Sequence, residues 1–328
     1  MEGSQVNTNK FLADYLNNPI KDANRKGFGI GLLKAGELNE NVVALCADLT
    51  ESTQMHLFKE KFEDRFFDVG VAEQNLVTVG SGLALMGKIP FVSSYAAFSP
   101  GRNWEQIRTT VCLNDVPVKI IGSHAGVSVG PDGATHQMLE DIALMRSLPN
   151  MIVIAPADKV EAEKATLAIA TNNKPSYMRL AREPVVTIFN DTYEFEIGKA
   201  YVLKEGKDIS IMATGTMTYQ ALLAAHNLEK SGINAEVIHV PTIKPLDIRT
   251  ILSSAKKTNL VLTIEEAQVA AGFGSAVSEF LSEVYPVKIK RMGIEDHYGE
   301  SGTPDELLKK FKLDYEHIEL NVHHLLGR

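Results

Sequence analysis

Little in this sequence speaks for cross-linking, membrane insertion or nucleic-acid binding. Only Cys46 and Cys112 stand among 328 residues, too few for a disulfide framework, and their apolar settings fit a reducing compartment. No apolar run approaches the ~20 residues that a membrane span needs. Positive charge is also short: 33 Lys and Arg against 41 Asp and Glu leave a net charge of −8. That balance offers no basic excess for nucleic acid or phospholipid headgroups, so a phosphorylated ligand must be met by a few aimed cations. The opening residues, Met1 to Lys10, are polar and lack the apolar core of a signal peptide. The cytoplasm is the expected location. Low-complexity segments and short fixed repeats are missing too.

What the chain does have is alternation. Buried-strand patterns recur at 42–47, 66–69, 91–94, 118–121, 151–154 and 176–180, with helical spacing between them at 24–37, 74–87, 104–113, 138–147 and 159–171. A second series of strands follows at 209–213, 235–240, 260–264 and 287–291, again separated by helical runs. Alternation of this kind predicts parallel sheets with helices on both faces. The polar stretch 190–196 divides the two series, so two doubly wound α/β domains are expected, 1–190 and 191–328. Each is long enough for its own core.

Two segments of the first series draw attention. Glu73 follows Asp68-Val69-Gly70-Val71-Ala72 at a strand-to-helix turn, a usual place for working residues in an open α/β sheet. A glutamate in a first helical turn also complements the helix dipole. The second segment, 123–137, reads Ser-His-Ala-Gly-Val-Ser-Val-Gly-Pro-Asp-Gly-Ala-Thr-His-Gln. Its glycine and proline predict an irregular loop carrying His124, Asp132 and His136 directly after the strand at 118–121. In the second series, Ala270-Ala271-Gly272-Phe273-Gly274-Ser275 opens a helix after the strand at 260–264. Such a turn binds phosphate or lets a helix pack closely on its sheet, and close packing is the favoured reading.

The run Val69 to Asn75, followed by Gly126 to Gln137, resembles the pyrimidine-binding half of transketolase and its relatives, the thiamine-diphosphate enzymes. The resemblance extends to Ala47-Asp48-Leu49-Thr50-Glu51-Ser52, Ser176 to Glu183, Pro241 to Asp247 and Glu265 to Gly274. It implies a pyrimidine-binding domain followed by a transketolase C-terminal domain. It also implies that Glu73 hydrogen-bonds the aminopyrimidine ring nitrogen and switches on the coenzyme, with burial among Val71, Ala72 and Leu76 favouring the protonated carboxyl. Tyr95 and Phe98 match an aromatic pair that grips the ring, with Asp48 a further coenzyme contact and His136 a catalytic histidine beside it. After Phe98 one extra residue leaves the next position open between Gly101 and Arg102. By the same resemblance Arg25, Ser52, His124 and Arg182 meet a sugar phosphate, Arg179 competes with Arg182, and Asp132 reads a hydroxyl.

The family's Gly-Asp-Gly metal motif and its downstream asparagine pair have no match here. The resemblance therefore implies half an enzyme: a transketolase subunit that holds no metal of its own and shares thiamine diphosphate with an N-terminal partner subunit. That partner would hold a divalent metal such as Mg, whose oxygen ligands suit the diphosphate. A homodimer of this chain within a heterotetramer is expected, acting on sugar phosphates in the pentose phosphate pathway. The spacing of His124, Asp132 and His136 fits transketolase better than deoxyxylulose-phosphate synthase. The β subunit of 2-oxoacid dehydrogenases lacks the Asp-Gly-x-Thr-His-Gln loop. A non-catalytic regulatory subunit would have no need of Glu73, Phe98 and His136. The segment 297–302 is family-like but has no role that the sequence assigns.

Overall fold

The computed structural model describes residues 10–328. Its elements in the first region are β1 (Lys21–Asp22), α1 (Asn24–Leu38), β2 (Val42–Cys46), α2 (His56–Lys61), β3 (Phe66–Asp68), α3 (Glu73–Leu85) and β4 (Ile89–Tyr95). There follow α4 (Trp104–Gln106), β5 (Lys119–Ser123), α5 (Asp141–Arg146), β6 (Ile152–Ile154), α6 (Lys159–Ala170), β7 (Ser176–Arg179) and β8 (Val185–Val186). The second region contains β9 (Tyr201–Lys204), β10 (Ile209–Ala213), α7 (Met217–Lys230), β11 (Ala235–His239), β12 (Thr242–Lys244) and α8 (Ile248–Thr258). It ends with β13 (Leu260–Gln268), α9 (Phe273–Val284), β14 (Lys288–Ile294), α10 (Pro304–Lys310) and α11 (Tyr315–Leu326).

The larger sheet has the order β12-β6-β7-β5-β4-β2-β3, and every pair in it is parallel except β12 with β6. Its interior strands β2 and β5 are buried at every residue because helices cover both faces. Chain order runs from β2 outward to β3 and then back to β4 on the other side. The crevice above the carboxyl ends of β2 and β4 is therefore a switch point, the general place for ligands in open α/β sheets. The second sheet, β14-β13-β10-β11-β9, is parallel apart from β9. The two α/β units expected from the alternation are thus present.

Three features differ from the sequence reading. The stretch at 66–69 is not a buried strand: β3 lies at the sheet edge, with Phe67 39% exposed. The segment 123–137 is not wholly irregular, since Val127–Asp132 winds into 3-10 turns broken at Gly130, whose φ is 81°. The helix expected at 104–113 passes from α4 into a π-helix at Ile107–Cys112. There Thr109 and Thr110 hydroxyls donate back to the carbonyls of Glu105 and Gln106, and Ser81 donates to that of Thr110.

β12 was not foreseen either. This short strand from the second half completes the first sheet, and Lys244 anchors it by donating to the carbonyls of Arg146 and Leu148. Cys46 and Cys112 are buried and free, and burial pushes the Cys112 thiol up to about 12. Among the described residues, no helix is long and apolar enough to cross a membrane.

Candidate active site

Glu73 is the first residue of α3 and is only 1% exposed. Gly70, with φ at 71°, turns the chain out of β3, and the Asp68 carboxylate ties this turn together by accepting from the backbone of both Gly70 and Asp48. The environment of Glu73 is not the apolar shell expected from Val71, Ala72 and Leu76, because Val71 is 71% exposed. Instead Arg102 Nη1 lies 2.6 Å from Glu73 Oε2, and Ser94 Oγ is 3.4 Å from Oε1. Asn103 donates to the Glu73 backbone oxygen at 2.8 Å and to Ser99 Oγ at 3.1 Å. Of the two residues left open by the sequence, then, Arg102 reaches Glu73. Asn103 carried no sequence signal.

Beside the carboxylate stand the aromatics at the end of β4. Tyr95 and Phe98 are stacked with ring centroids 6.1 Å apart, and the Arg102 guanidinium sits 5.0 Å from the Phe98 centroid. Both histidines of the loop join this cluster. His124 stacks on Tyr95 at 3.8 Å, while His136 meets Phe98 edge-on at 5.5 Å and Tyr95 at 6.2 Å. Residues far apart in sequence, at the ends of β3, β4 and β5, therefore form one group.

The cations lie along the same edge. Arg25, near the start of α1, donates through Nε to the Arg182 carbonyl and through Nη1 to the Ser52 carbonyl. Arg182 donates to the Val129 carbonyl at 2.8 Å and comes within 3.4 Å of Asp132 and of Glu183. His124 is 3% exposed. Burial, and then Arg25, Arg182 and His136, push it down to about 3, so its imidazole is neutral near neutral pH. Its Nδ1 lies 2.8 Å from Ser123 Oγ, and His136 Nδ1 lies 2.9 Å from Thr135 Oγ1. Asp48 is exposed at the end of β2 with φ of 58°. Among the described residues, no group of three or more His, Cys, Asp or Glu is placed to hold a metal ion.

Arg179 is placed differently. It is 9% exposed and points into the seam between the two regions, where Nε donates to Asp141 Oδ2 at 2.9 Å and Nη2 to the Glu266 carbonyl at 2.6 Å. Arg182, not Arg179, shares the edge with Arg25 and His124. The glycine turn before α9 is filled from within: Glu265 accepts from the backbone N–H groups of Phe273 and Gly274. A Cβ on Gly272 would lie 2.2 Å from Glu265 Oε2. This helix N-terminus faces an internal carboxylate, in keeping with the close-packing reading.

The fold and this cluster define a two-domain α/β protein whose buried carboxylate, aromatic pair and cations meet at the sheet's switch point. By sequence the chain belongs to the transketolase family: residues 21–186 match the transketolase pyrimidine-binding domain and residues 198–318 the transketolase C-terminal domain. It is 45% identical to a provisionally described transketolase C-terminal section from Methanocaldococcus jannaschii, across 91% of this chain and 94% of that protein. A 6-deoxy-6-sulfo-D-fructose transketolase subunit from a Clostridium species is 41% identical over 90% of this chain and 92% of its own length. A solved structure described as a split gene transketolase, inactive beta4 tetramer, superimposes with a TM-score of 0.87 at 44% identity. It covers 93% of this chain and 98% of that one.

Proposed function

We propose that this chain is the C-terminal subunit of a two-chain transketolase, transferring a two-carbon ketol unit between sugar phosphates in the cytoplasm with thiamine diphosphate. The observation that carries the reading is the convergence of a buried carboxylate, Glu73, with stacked aromatics and the Arg25–Arg182–His124 group on one sheet edge. These residues fit the pyrimidine end of the coenzyme. Glu73 is a buried carboxyl able to hydrogen-bond a ring nitrogen, and Phe98 offers an aromatic face to the ring. Tyr95 is already committed to His124. When bound, thiamine diphosphate supplies the carbon nucleophile that ketose cleavage requires.

This chain's own residues have separable tasks in that reading. Glu73, now paired with Arg102, would hydrogen-bond a ring nitrogen of the bound coenzyme, and His136 would face the substrate side. Arg25 and Arg182 meet the sugar phosphate through charge-assisted bonds. His124 adds a neutral donor, Ser52 a short polar side chain, and Asp132 an acceptor for a substrate hydroxyl. Asp48 lines the coenzyme side. The sequence lacks the Gly-Asp-Gly motif, so an N-terminal subunit would hold the diphosphate through a divalent metal such as Mg, around a homodimer of this chain. The inactive tetramer of the similar solved chain supports that division. Pentose phosphate metabolism is the proposed setting.

The test is reconstitution. The isolated chain is expected to bind thiamine diphosphate poorly and to show no transketolase activity, whereas mixing it with a chain bearing the Gly-Asp-Gly motif restores both. Full turnover by the purified chain alone would overturn the half-enzyme reading.

A further inference from the structure

Three glycines give the loop at 123–137 its shape, and each faces the second region. Gly126, Gly130 and Gly133 have φ of 88°, 81° and 74°, in the left-handed range that suits glycine. A Cβ on Gly126 would lie 2.3 Å from Glu266 Oε1; on Gly130 it would lie 3.3 Å from the Gly302 carbonyl, and on Gly133 2.7 Å from Ser301 Oγ. The far end of the loop is tied in the same direction. Gln137 Nε2 donates to the Glu300 carbonyl at 2.8 Å as well as to the loop's own Val127 and Gly130 carbonyls.

Glu266 is the strongest of these contacts. Its carboxylate accepts from the Ser128 backbone N–H at 2.6 Å and from Thr216 Oγ1 at 3.2 Å, and the residue is 2% exposed. Its backbone carbonyl accepts from Arg179, which also donates to Asp141 on α5 and to the Met138 carbonyl. A charge-assisted bond donated by a loop N–H to a buried carboxylate is among the stronger interactions available to hold a loop.

We infer that Glu266, seconded by the 299–302 segment, is a positioning residue that moulds the loop from behind and so sets where His124, Asp132 and His136 stand. The second region then shapes substrate recognition. The inference rests on the proposed function only for its kinetic consequence, because the structural part can be read in the coenzyme-free chain.

Two measurements test it. In the full chain, hydrogen–deuterium exchange of amides 126–133 is expected to accelerate about tenfold or more in Glu266→Ala. Glu266→Gln, which keeps one acceptor oxygen, should accelerate less, and exchange across β2, β4 and β5 should stay unchanged. Gly126→Ala pushes on the same contact from the loop side and should reproduce the effect if Glu266→Ala does not fold. In the reconstituted complex, KM for a ketose phosphate should rise about tenfold or more while thiamine diphosphate affinity stays within about twofold. Unchanged loop exchange in both Glu266→Ala and Gly126→Ala would overturn the positioning role, whatever the kinetics. A loosened loop with unaltered KM would instead overturn the placement of substrate on this loop.

Discussion

Removing Arg102 should expose how the buried Glu73 carboxylate is tolerated. Glu73 is 1% exposed, and its close polar contacts are Arg102 Nη1 at 2.6 Å and the longer Ser94 bond at 3.4 Å. Breaking a fully buried ion pair by deleting one partner costs about 3–5 kcal/mol. The Arg102 side chain is 45% exposed, so water reaches its side of the pair and reduces the loss to about 2 kcal/mol. Part of that is the guanidinium packing over Phe98. Glu73→Gln keeps the shape and removes the charge, while the freed guanidinium turns to solvent, so it should cost less than about 1 kcal/mol. In Arg102→Ala/Glu73→Gln no buried charge is stranded. The double variant should therefore be more stable than the sum of the single losses predicts, with a coupling of at least about 1 kcal/mol. Urea unfolding of the four chains at one protein concentration measures this. Additive losses, or an Arg102→Ala chain as stable as the parent, would refute the view that Arg102 neutralises Glu73.

Two further expectations bear on substrate reading and on pH. In the reconstituted complex, His124→Ala and Arg182→Ala should penalise phosphorylated substrates by about 1.5–3 kcal/mol beyond their unphosphorylated analogues. Asp132→Ala should spare substrates that lack the hydroxyl it reads; equal kcat/KM losses on matched phosphorylated, unphosphorylated and deoxy substrates would mean that these residues only support the loop. Burial raises Glu265 from 4.5 to about 7, so the folded chain holds a proton there that the unfolded chain gives up. Its contribution to stability is full below pH 4.5 and is lost as pH rises through 7. Glu265→Gln should flatten the fall in unfolding free energy between those pH values, and an identical slope in parent and variant would show that Glu265 does not titrate in that window.

The parts legible in the sequence were those set by local pattern. Continuous apolar runs placed the strands of both sheets to within a few residues, β9 and β12 apart, because a strand covered on both faces has little choice of residue. Glycine, by its backbone freedom, marked the turn at Gly70 and the loop after β5. Partnership across the fold was not legible. Arg182 lies beyond the end of β7, so strand alternation does not separate it from Arg179. What separates them is Asp141, which captures Arg179 from an element with no sequence relation to β7. Glu73 was read as buried, and it is, but the cation facing it comes from beyond the next strand, after an extra residue that left its register open. β12 escaped notice because it is a short edge strand whose neighbour in the sheet, β6, lies in the other half of the chain.

The loop shows how both kinds of information meet in one segment. Its glycines announced that the backbone leaves the range open to other residues, yet a φ of 88° at Gly126 is only half of the reason for glycine there. The other half is the Glu266 carboxylate standing where a Cβ would be. A residue whose necessity comes from a neighbour more than a hundred positions away gives only its local half to a reader of the sequence. Glu265 repeats the lesson on the other side of the seam: Ala270 to Ser275 also admits a phosphate-turn reading until the carboxylate already seated at the α9 N-terminus is seen. Local geometry sets what a segment is able to do, and the long-range partner decides which of those possibilities is used.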